Sequence, residues 1–476
     1  MADQNIMEKI VSLCKRRGFV YQSSEIYGGT GSVYDYGPLG TQLKNNLKSV
    51  WWQKFVIARE DIVGVDSAVI QNPKVWEASG HLASFTDPLV ECRKCHNRFR
   101  YDHVEEIQKL KVKSQNNKSK FKIWFDSISP EQKSMLKCSK GGEHEFTEAM
   151  DFNLMFKTFI GPVEESSSVA YLRPETAQGI FINFQNILQS TRVKVPFGIA
   201  QIGKAFRNEI TTGNFIFRTR EFEQMEIEYF IKPNKEESEK SYQEWVELSE
   251  KFYTDLGIKK ENLRIRPHEK EELSHYSIGT SDIEYKFPFG MSELGGIAQR
   301  TDFDLKQHER VSGKDLKYFD EETGRKYLPY VVEPSLGVDR AMLAFLVDAY
   351  DESDGSDGRA AGEVTLRLNP RIAPIKVAVF PLVKKDKLPE IAKEIYRKLQ
   401  ECGMSAYYDE SGSVGRRYRR QDEIGTPLCV TVDFETLNDN KVTIRHRDTM
   451  KQVRVHKDAV WAYVEQRVLN PEKFFK

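Results

Sequence analysis

No run of 18 consecutive apolar residues occurs in this sequence, which excludes a membrane-spanning helix of ordinary length. The N-terminal segment MADQNIMEKIVSLCKRRGF lacks the uninterrupted apolar core of a secretory signal and reads instead as a short amphipathic helix. Cysteine is scarce. Six in 476 residues are too few for a disulfide scaffold and point to a reducing, cytoplasmic setting. Neither sign of charge is in excess: 71 Lys+Arg balance 71 Asp+Glu, so no global basic field announces nucleic acid, although a local basic face would suffice. Several chemistries are missing too. There is no G-x-x-x-x-G-K-[ST] loop, no H-E-x-x-H and no G-x-S-x-G, and Gly29-Thr30-Gly31 lacks the third glycine of a dinucleotide fingerprint. An enzyme handling nucleotides would need another scaffold.

What the chain does contain is ample apolar surface, 39% hydrophobic and 11% aromatic residues over a length that one core rarely supports. Two or three domains are expected. The acidic, glycine-rich segment DESDGSDGRAAG (351–362) reads as an exposed loop or domain boundary, and its Asp and Gly spacing fits an EF-hand poorly. Before it lies a long α+β region. Apolar spacing predicts a helix over 39–58 and a strand over 63–73 stopped by Pro73. VPFGIAQIGKAFRNEI and FIFRTREFEQMEIEYFI, joined across TTGN, read as an antiparallel hairpin, and PYVVEPSLGVDRAMLAFLVDAY as a strand running into a helix. After the boundary, strand–helix–strand with three further strands and a final helix suggests a compact α/β module of about 100 residues, an ordinary domain size. It carries 20 Lys+Arg against 15 Asp+Glu over residues 374–476, densest at Arg416-Arg417-Tyr418-Arg419-Arg420. Cys14, Cys402 and Cys429 read as small core residues.

Strand parity in REFEQMEIEYF puts Met225, Ile227 and Tyr229 on one face, expected to pack on the core. Phe222, Gln224, Glu226 and Glu228 share the other face, expected to look outward. A solvated sheet surface would explain that face alone. Three nearby clusters shift the balance: Phe206-Arg207-Asn208-Glu209, Arg218-Thr219-Arg220-Glu221-Phe222 and Gly337-Val338-Asp339-Arg340. Arginines on rigid elements beside an aromatic suit a triphosphate and a stacked base.

FRNE (206–209) followed by FRTREFEQMEIEYF (217–230) resembles motif 2 of the class II aminoacyl-tRNA synthetases, and PSLGVDRAMLAFL (334–346) resembles motif 3. The predicted helix 39–58 with the strand ending at Pro73 resembles motif 1, the dimer element. YDYGPLG, WEASGH, LRPETAQGIF, HYSIGTSDIEYKFPFG and RTDFDL are similar to glycyl-tRNA synthetases of the homodimeric type. The similarity runs from about Ile6 to Val455, and the HIGH and KMSKS strings of class I enzymes are absent. The resemblance implies a catalytic domain over 1–350 built on an antiparallel sheet flanked by helices. It places insertions at about 92–147 and 231–285, a linker at 351–372 and an α/β anticodon-binding domain over 373–476. It further implies ligation of glycine to tRNA(Gly) through glycyl-adenylate, with ATP as substrate and Mg²⁺ as cofactor.

By the same resemblance, Arg207 would hold the α-phosphate and the attacking carboxylate. Arg340 would hold the γ-phosphate of a bent ATP and cover the adenine, with Phe222 stacked beneath. Asn208, Glu209, Phe217, Arg218, Thr219, Arg220, Gly337 and Asp339 complete the expected ATP contacts. Glu293-Leu294 adds one more, with Glu293 as a Mg²⁺ ligand, since Mg²⁺ favours few carboxylates plus phosphate oxygens. Glycine offers only an ammonium and a carboxylate. Glu175, Glu226 and Glu333 with Ser335 are the expected ammonium site, beside Phe222 and Gln224, with Arg300 and Arg100 orienting substrate or acids. Taken alone, Glu175 after Pro174 would read as a helix N-terminal acid.

Cys92-x-x-Cys95 opens the first insertion, and Cys138 with His144 lies near its end. Gly141 stands where a second C-x-x-C would need cysteine. Either these residues complete a tetrahedral zinc site, with His144 or His96 as fourth ligand, or the insertion is a degenerate ribbon that folds without metal. The C-terminal strings GRRYRRQDEIGTPLCVTVD and VTIRHRDTM resemble the anticodon-binding domain of the glycine, histidine, proline and threonine synthetases, which reads unstacked bases on aromatics and arginines. Two rivals remain: a synthetase-like binding protein without catalysis, which would be expected to lose Arg207 and Arg340, and a class II synthetase for another amino acid, against which the three glutamates argue.

Overall fold

The computed structural model describes residues 2–470 apart from 106, 109–133, 211, 212 and 275. Part of the first insertion, two residues of the TTGN turn and His275 of the HYSIGT string therefore lie outside the described residues.

Helix α1 (Ala2–Arg17) leads to α2 (Pro38–Trp52), which starts with Pro at its first turn, a position that loses no hydrogen bond. Leu43, Leu47, Val50 and Trp51 form its buried stripe. A π-turn over Gln53–Ile57 ends the helix. The expected strand 63–73 is broken. Ile62–Gly64 (β1) joins the main sheet, while Ile70–Gln71 pairs with Val169–Leu172 in another. Pro73 does not stop a strand but opens the helix Pro73–Ala78, capped by the Asn72 side chain. Gly64 is required by packing, because a Cβ there would lie 2.4 Å from the Trp52 ring.

The main sheet contains β2 (Phe197–Phe206), β3 (Glu221–Ile231), β4 (Leu263–Pro267), β5 (Gly279–Phe287), β6 (Gly290–Thr301) and β7 (Tyr330–Gly337). Their order is β4-β5-β6-β7-β3-β2-β1, antiparallel throughout except for the β2–β1 pair. Residues 231–285, expected as a second insertion, supply helix α3 (Lys235–Asp255) and two strands of this sheet, so they belong to it. The β2–β3 hairpin forms as the sequence suggests, with Phe197–Phe206 paired antiparallel to Glu221–Phe230.

The outward-facing expectation for β3 is overturned. Met225 and Ile227 pack under α2, α3 and α5 (Val338–Ala349), but Gln224, Glu226 and Glu228 are buried as well. The second face is roofed in part by the short helix Ala177–Phe181, by Phe184 and by Leu305 of α4 (Phe303–Ser312). Carboxylates placed inside a sandwich need partners or protons.

The acidic segment is an exposed loop as expected, with residues 353–363 joining the short strands Tyr350–Glu352 and Val364–Leu366, and within it Arg359 is clamped by Asp351 and Asp357. Beyond it the chain stays on the catalytic core. Leu366, Leu368, Ile372 and Ala373 are buried there, and Asn46 donates to the Ile372 and Ala373 carbonyls at 3.3 and 2.8 Å. The C-terminal sheet consists of β8 (Val377–Pro381), β9 (Ala406–Tyr408), β10 (Leu428–Val432), β11 (Lys441–His446) and β12 (Gln452–His456), ordered β9-β8-β10-β11-β12. Helices α6 (Leu388–Glu401) and α8 (Val460–Leu469) cover one face and α7 (Val414–Glu423) the other. The basic run at 416–420 is therefore helical and largely engaged. Arg417 is buried and donates to the carbonyls of Pro381, Leu382 and Gly412, Arg420 meets Asp409 at 2.5 Å, and Arg419 meets Glu363 at 2.8 Å. Cys402, expected in the core, is exposed at the end of α6.

Candidate active site

A cavity of about 450 Å³ opens over β3, β5, β6 and β7. At one end stand two arginines. Arg207 follows β2; its Nε donates to the Pro174 carbonyl at 3.0 Å, and its guanidinium sits 5.3 and 5.4 Å from the Phe85 and Phe222 rings. Arg340, in the first turn of α5, lies 4.7 Å from the Phe217 ring and pairs with the Glu293 carboxylate at 2.9 Å. That contact holds the Glu293 carboxyl below its ordinary range. Flat rings held against guanidinium groups are a frame for a planar base and a polyphosphate.

At the other end are acids. Arg300 of β6 donates to both oxygens of Asp304 at 2.8 and 2.9 Å and to Glu333 at 2.8 Å, with the Tyr276 ring 4.0 Å above it. Glu175 accepts from Gln178 at 2.9 Å and faces His81 Nε2 at 3.4 Å. Burial pushes Glu175 up, but His81, Arg300 and the Gln178 amide outweigh it and hold the carboxyl well below its usual range. Glu226 accepts from the Thr176 hydroxyl and from Gln224, whose amide also donates to Ser335 at 3.3 Å. The opposite shift holds at Glu333: burial, with Glu226 and Glu175 adding and Arg300 opposing, drives it well above the usual range. One end of the cavity is therefore cationic and the other anionic. Such an arrangement can bind and orient a molecule carrying phosphates, a carboxylate and an ammonium.

A profile described as the tRNA synthetase class II core domain (G, H, P, S and T) matches residues 156–349, and one described as an anticodon binding domain matches 376–467. The glycine–tRNA ligase of Caldanaerobacter subterraneus subsp. tengcongensis is 55% identical over 466 residues, 97% of this chain and 98% of that protein. That of Clostridium acetobutylicum is 54% identical over 474 residues, 98% of this chain and all of its own length. The chain belongs to the glycine–tRNA ligases. A solved prolyl-tRNA synthetase from Cryptosporidium parvum shares the fold at a TM-score of 0.63 and 14% identity, covering 98% of this chain and 75% of that one.

Within this ligase chain, most residues singled out in the sequence meet at the cavity: Glu175, Arg207, Glu209, Phe217, Arg218, Thr219, Phe222, Gln224 and Glu226, and then Glu293, Leu294, Glu333, Ser335, Gly337, Asp339 and Arg340. Arg300 lies directly behind Glu333. Others are elsewhere. Arg100 does not line the cavity: it sits in the insertion strand Arg98–Arg100, paired with Asp87 at 3.0 Å and Asp102 at 2.6 Å, with the cavity-lining Glu209 as a further charge nearby. Arg220 turns to the Gly31 carbonyl at 2.7 Å, and the backbone N–H of Asn208 donates to the Leu154 carbonyl at 2.7 Å. Asp339 borders the cavity, but its oxygens accept from the Tyr36 hydroxyl, from Lys44 at 2.8 Å and from the Glu223 amide at 2.7 Å.

Sequence reasoning missed His81, Tyr276 and Glu228. His81 closes the quoted WEASGH string, Tyr276 stands in the quoted HYSIGT string and Glu228 shares the parity of Glu226, so all three carried a signal. In the insertion, Cys92, Cys95, Cys138 and His144 place their ligand atoms within 4.8 Å of one another. Cys92 Sγ is 3.9 Å from Cys138 Sγ, and Cys95 Sγ is 3.8 Å from His144 Nδ1. His96 is exposed, with a positive φ, and pairs with Glu91 at 3.2 Å outside this group.

Proposed function

We propose that this chain ligates glycine to tRNA(Gly) in two steps. A glycine carboxylate oxygen attacks the α-phosphorus of ATP in line; the α–β bridging P–O bond breaks and pyrophosphate leaves. The 3′-terminal ribose hydroxyl of tRNA then attacks the glycyl carbonyl, breaking the mixed anhydride and releasing AMP. No protein nucleophile is needed, so the protein's contribution is positioning and charge stabilisation. The observation that carries the reading is the convergence in one cavity of Arg207 and Arg340 with the acids Glu175, Glu226 and Glu333.

In this reading Arg207 holds the α-phosphate and the attacking carboxylate, and Arg340 the γ-phosphate, leaving the Glu293 carboxylate that it now grips. Phe222, Phe217 and the Arg218-Thr219 backbone frame the adenine. Class II synthetases use ATP and Mg²⁺; here Glu293 and Glu209 face the phosphate end and fit a hard cation that neutralises phosphate charge. Glu175, Glu226 and Glu333 take the ammonium, Gln224 and Ser335 complete its surroundings, and Arg300 fixes Glu333 in place. A pocket that fills the side-chain space rejects larger amino acids by clash, so no editing domain is needed. The chain works as a homodimer through α2 and β1, in the cytoplasm; among the described residues no helix is long and apolar enough to cross a membrane.

Pyrophosphate exchange assayed with each of the twenty amino acids tests the assignment. Glycine alone should support exchange, and the protein should charge tRNA(Gly). Exchange with another amino acid, or none, defeats it.

The insertion holds one zinc ion. Thiolates about 2.3 Å from zinc in a tetrahedron stand about 3.8 Å apart, which the sulfur separation matches. His144 Nε2 donates to the Ser134 carbonyl at 2.7 Å, which leaves Nδ1 free to ligate. Elemental analysis of protein purified without chelator should find about one zinc per chain; less than a tenth of that would favour a ribbon that folds without metal.

A further inference from the structure

Behind the ammonium-site acids lies a side chain that the reaction as proposed does not use. Glu228 is fully buried, and neither of its carboxyl oxygens meets a hydrogen-bond donor among the described residues. The register that sets Glu226 against Ser335 and Tyr229 against Val332 puts Glu228 directly opposite Glu333 across β3 and β7. Carboxyl oxygens of Glu226, Glu228 and Glu333 all lie within 4.8 Å of one another.

The surrounding charge is one-sided. Glu226 flanks Glu228 on its own strand, Glu333 faces it from β7, Arg300 approaches from β6 and Asp304 from α4. Glu175 stands beyond Glu333. Arg173 acts on Glu226, and Arg300 is the guanidinium acting on Glu228, but Asp304 and Glu333 already take its bonds. A buried carboxylate without a donor is not sustained; such a group takes up a proton instead. Two carboxyl groups facing each other at close range share a proton for the same reason. Burial first, and the charge of Glu333 next, push Glu228 far above the ordinary carboxyl range.

We propose that Glu228 is a positioning residue for the amino-acid substrate: it stands uncharged behind Glu333 and donates its carboxyl proton to it, which holds the Glu333 carboxylate toward the substrate ammonium. The terminal torsion of a glutamate is broad, so the carboxyl can swing onto Glu333 within this cluster. No bond to substrate is involved. Glu333 is driven up as well, so the pair holds one proton between them, and the Arg300 bond, which Glu228 lacks, keeps the negative charge on Glu333.

This inference rests on the glycine-ligation reading of the same cavity, and the test separates the two. Steady-state pyrophosphate exchange is measured on the full-length parent, Glu228→Gln and Glu228→Met between pH 6 and 9. Glutamine replaces a neutral donor with a neutral donor. Its KM for glycine should stay within about threefold of the parent, with a superimposable pH profile. Methionine fills the volume without donating, so KM for glycine should rise tenfold or more while KM for ATP and kcat change little. Infrared spectroscopy at pH 8 should show a neutral-carboxyl C=O stretch in the parent that is lost in Glu228→Gln, a readout that needs no activity and does not depend on whether the methionine variant folds. A tenfold rise in glycine KM for the glutamine variant, an unchanged KM for a folded methionine variant, or absence of the neutral-carboxyl band overturns the inference. A parent without glycine-dependent exchange overturns the functional reading itself.

Discussion

Arg340→Ala and Arg207→Ala should each lower glycine-dependent pyrophosphate exchange by on the order of 10²–10³, the usual cost of removing one charge-stabilising contact from a preorganised site. The structure separates the two variants. Arg340 is half-buried, grips Glu293 and rests on Phe217, so its loss leaves the Glu293 carboxylate without its nearest cation. ATP affinity should fall along with the rate. Arg207 is wedged between Phe85 and Phe222 and tied to the Pro174 carbonyl, so its loss also loosens the packing around Phe222 at the start of β3. KM for glycine should therefore move more in Arg207→Ala than in Arg340→Ala. Circular dichroism should show both folded. Near-normal exchange in both variants would sink the assignment of the cationic end.

Truncation should separate the two halves of the reaction. A cut near Asp357, where the sequence suggests a boundary, would split the hairpin 350–366 and strip Leu366, Leu368 and Ile372 from the catalytic core. A cut after Pro374 retains them, along with the carbonyls that Asn46 holds. The shorter protein should still make glycyl-adenylate but charge tRNA(Gly) at least tenfold less efficiently, with the loss mainly in tRNA affinity. Raising salt should weaken tRNA binding by the whole chain more steeply than by the truncate, because fewer phosphate contacts release fewer counterions. Gel filtration must first show that both proteins share one oligomeric state. Equal charging by a folded truncate would remove the C-terminal module from tRNA recognition.

The parts of the fold that were legible in the sequence are those with local periodicity and local punctuation. The β2–β3 hairpin and the strand-to-helix passage at Gly337 carry both. Asn72-Pro73 shows how one signal carries two meanings: proline ends a strand and also opens a helix, and the Asn72 cap decides between them. Parity on β3 sorted its residues into two faces correctly, yet it could not say what covers the second one. The helices that do so come from residues 177–181 and 303–312, far away in the chain. Glu228 was overlooked for this reason. A similar limit applies to Arg417, which reads as part of a solvated basic run until α7 turns it inward onto the Pro381 carbonyl.

Asp339 touches three distant stretches of chain through one carboxylate: the Tyr36 hydroxyl, Lys44 on α2 and the Glu223 amide on β3. Its neighbour Arg340 faces the cavity, whereas Asp339 acts as a rivet that fixes α5, which carries Arg340, to the Tyr36 stretch, to α2 and to β3, which carries Phe222. A mutational scan scored by activity would not tell the two apart, because dropping the rivet misaligns everything fixed to it. Thermal stability would: Asp339 variants should melt early and recover function in stabilising solutes, while Arg340 variants should melt normally and stay inactive. In a site of this kind, adjacent letters of one motif can fail for unrelated reasons.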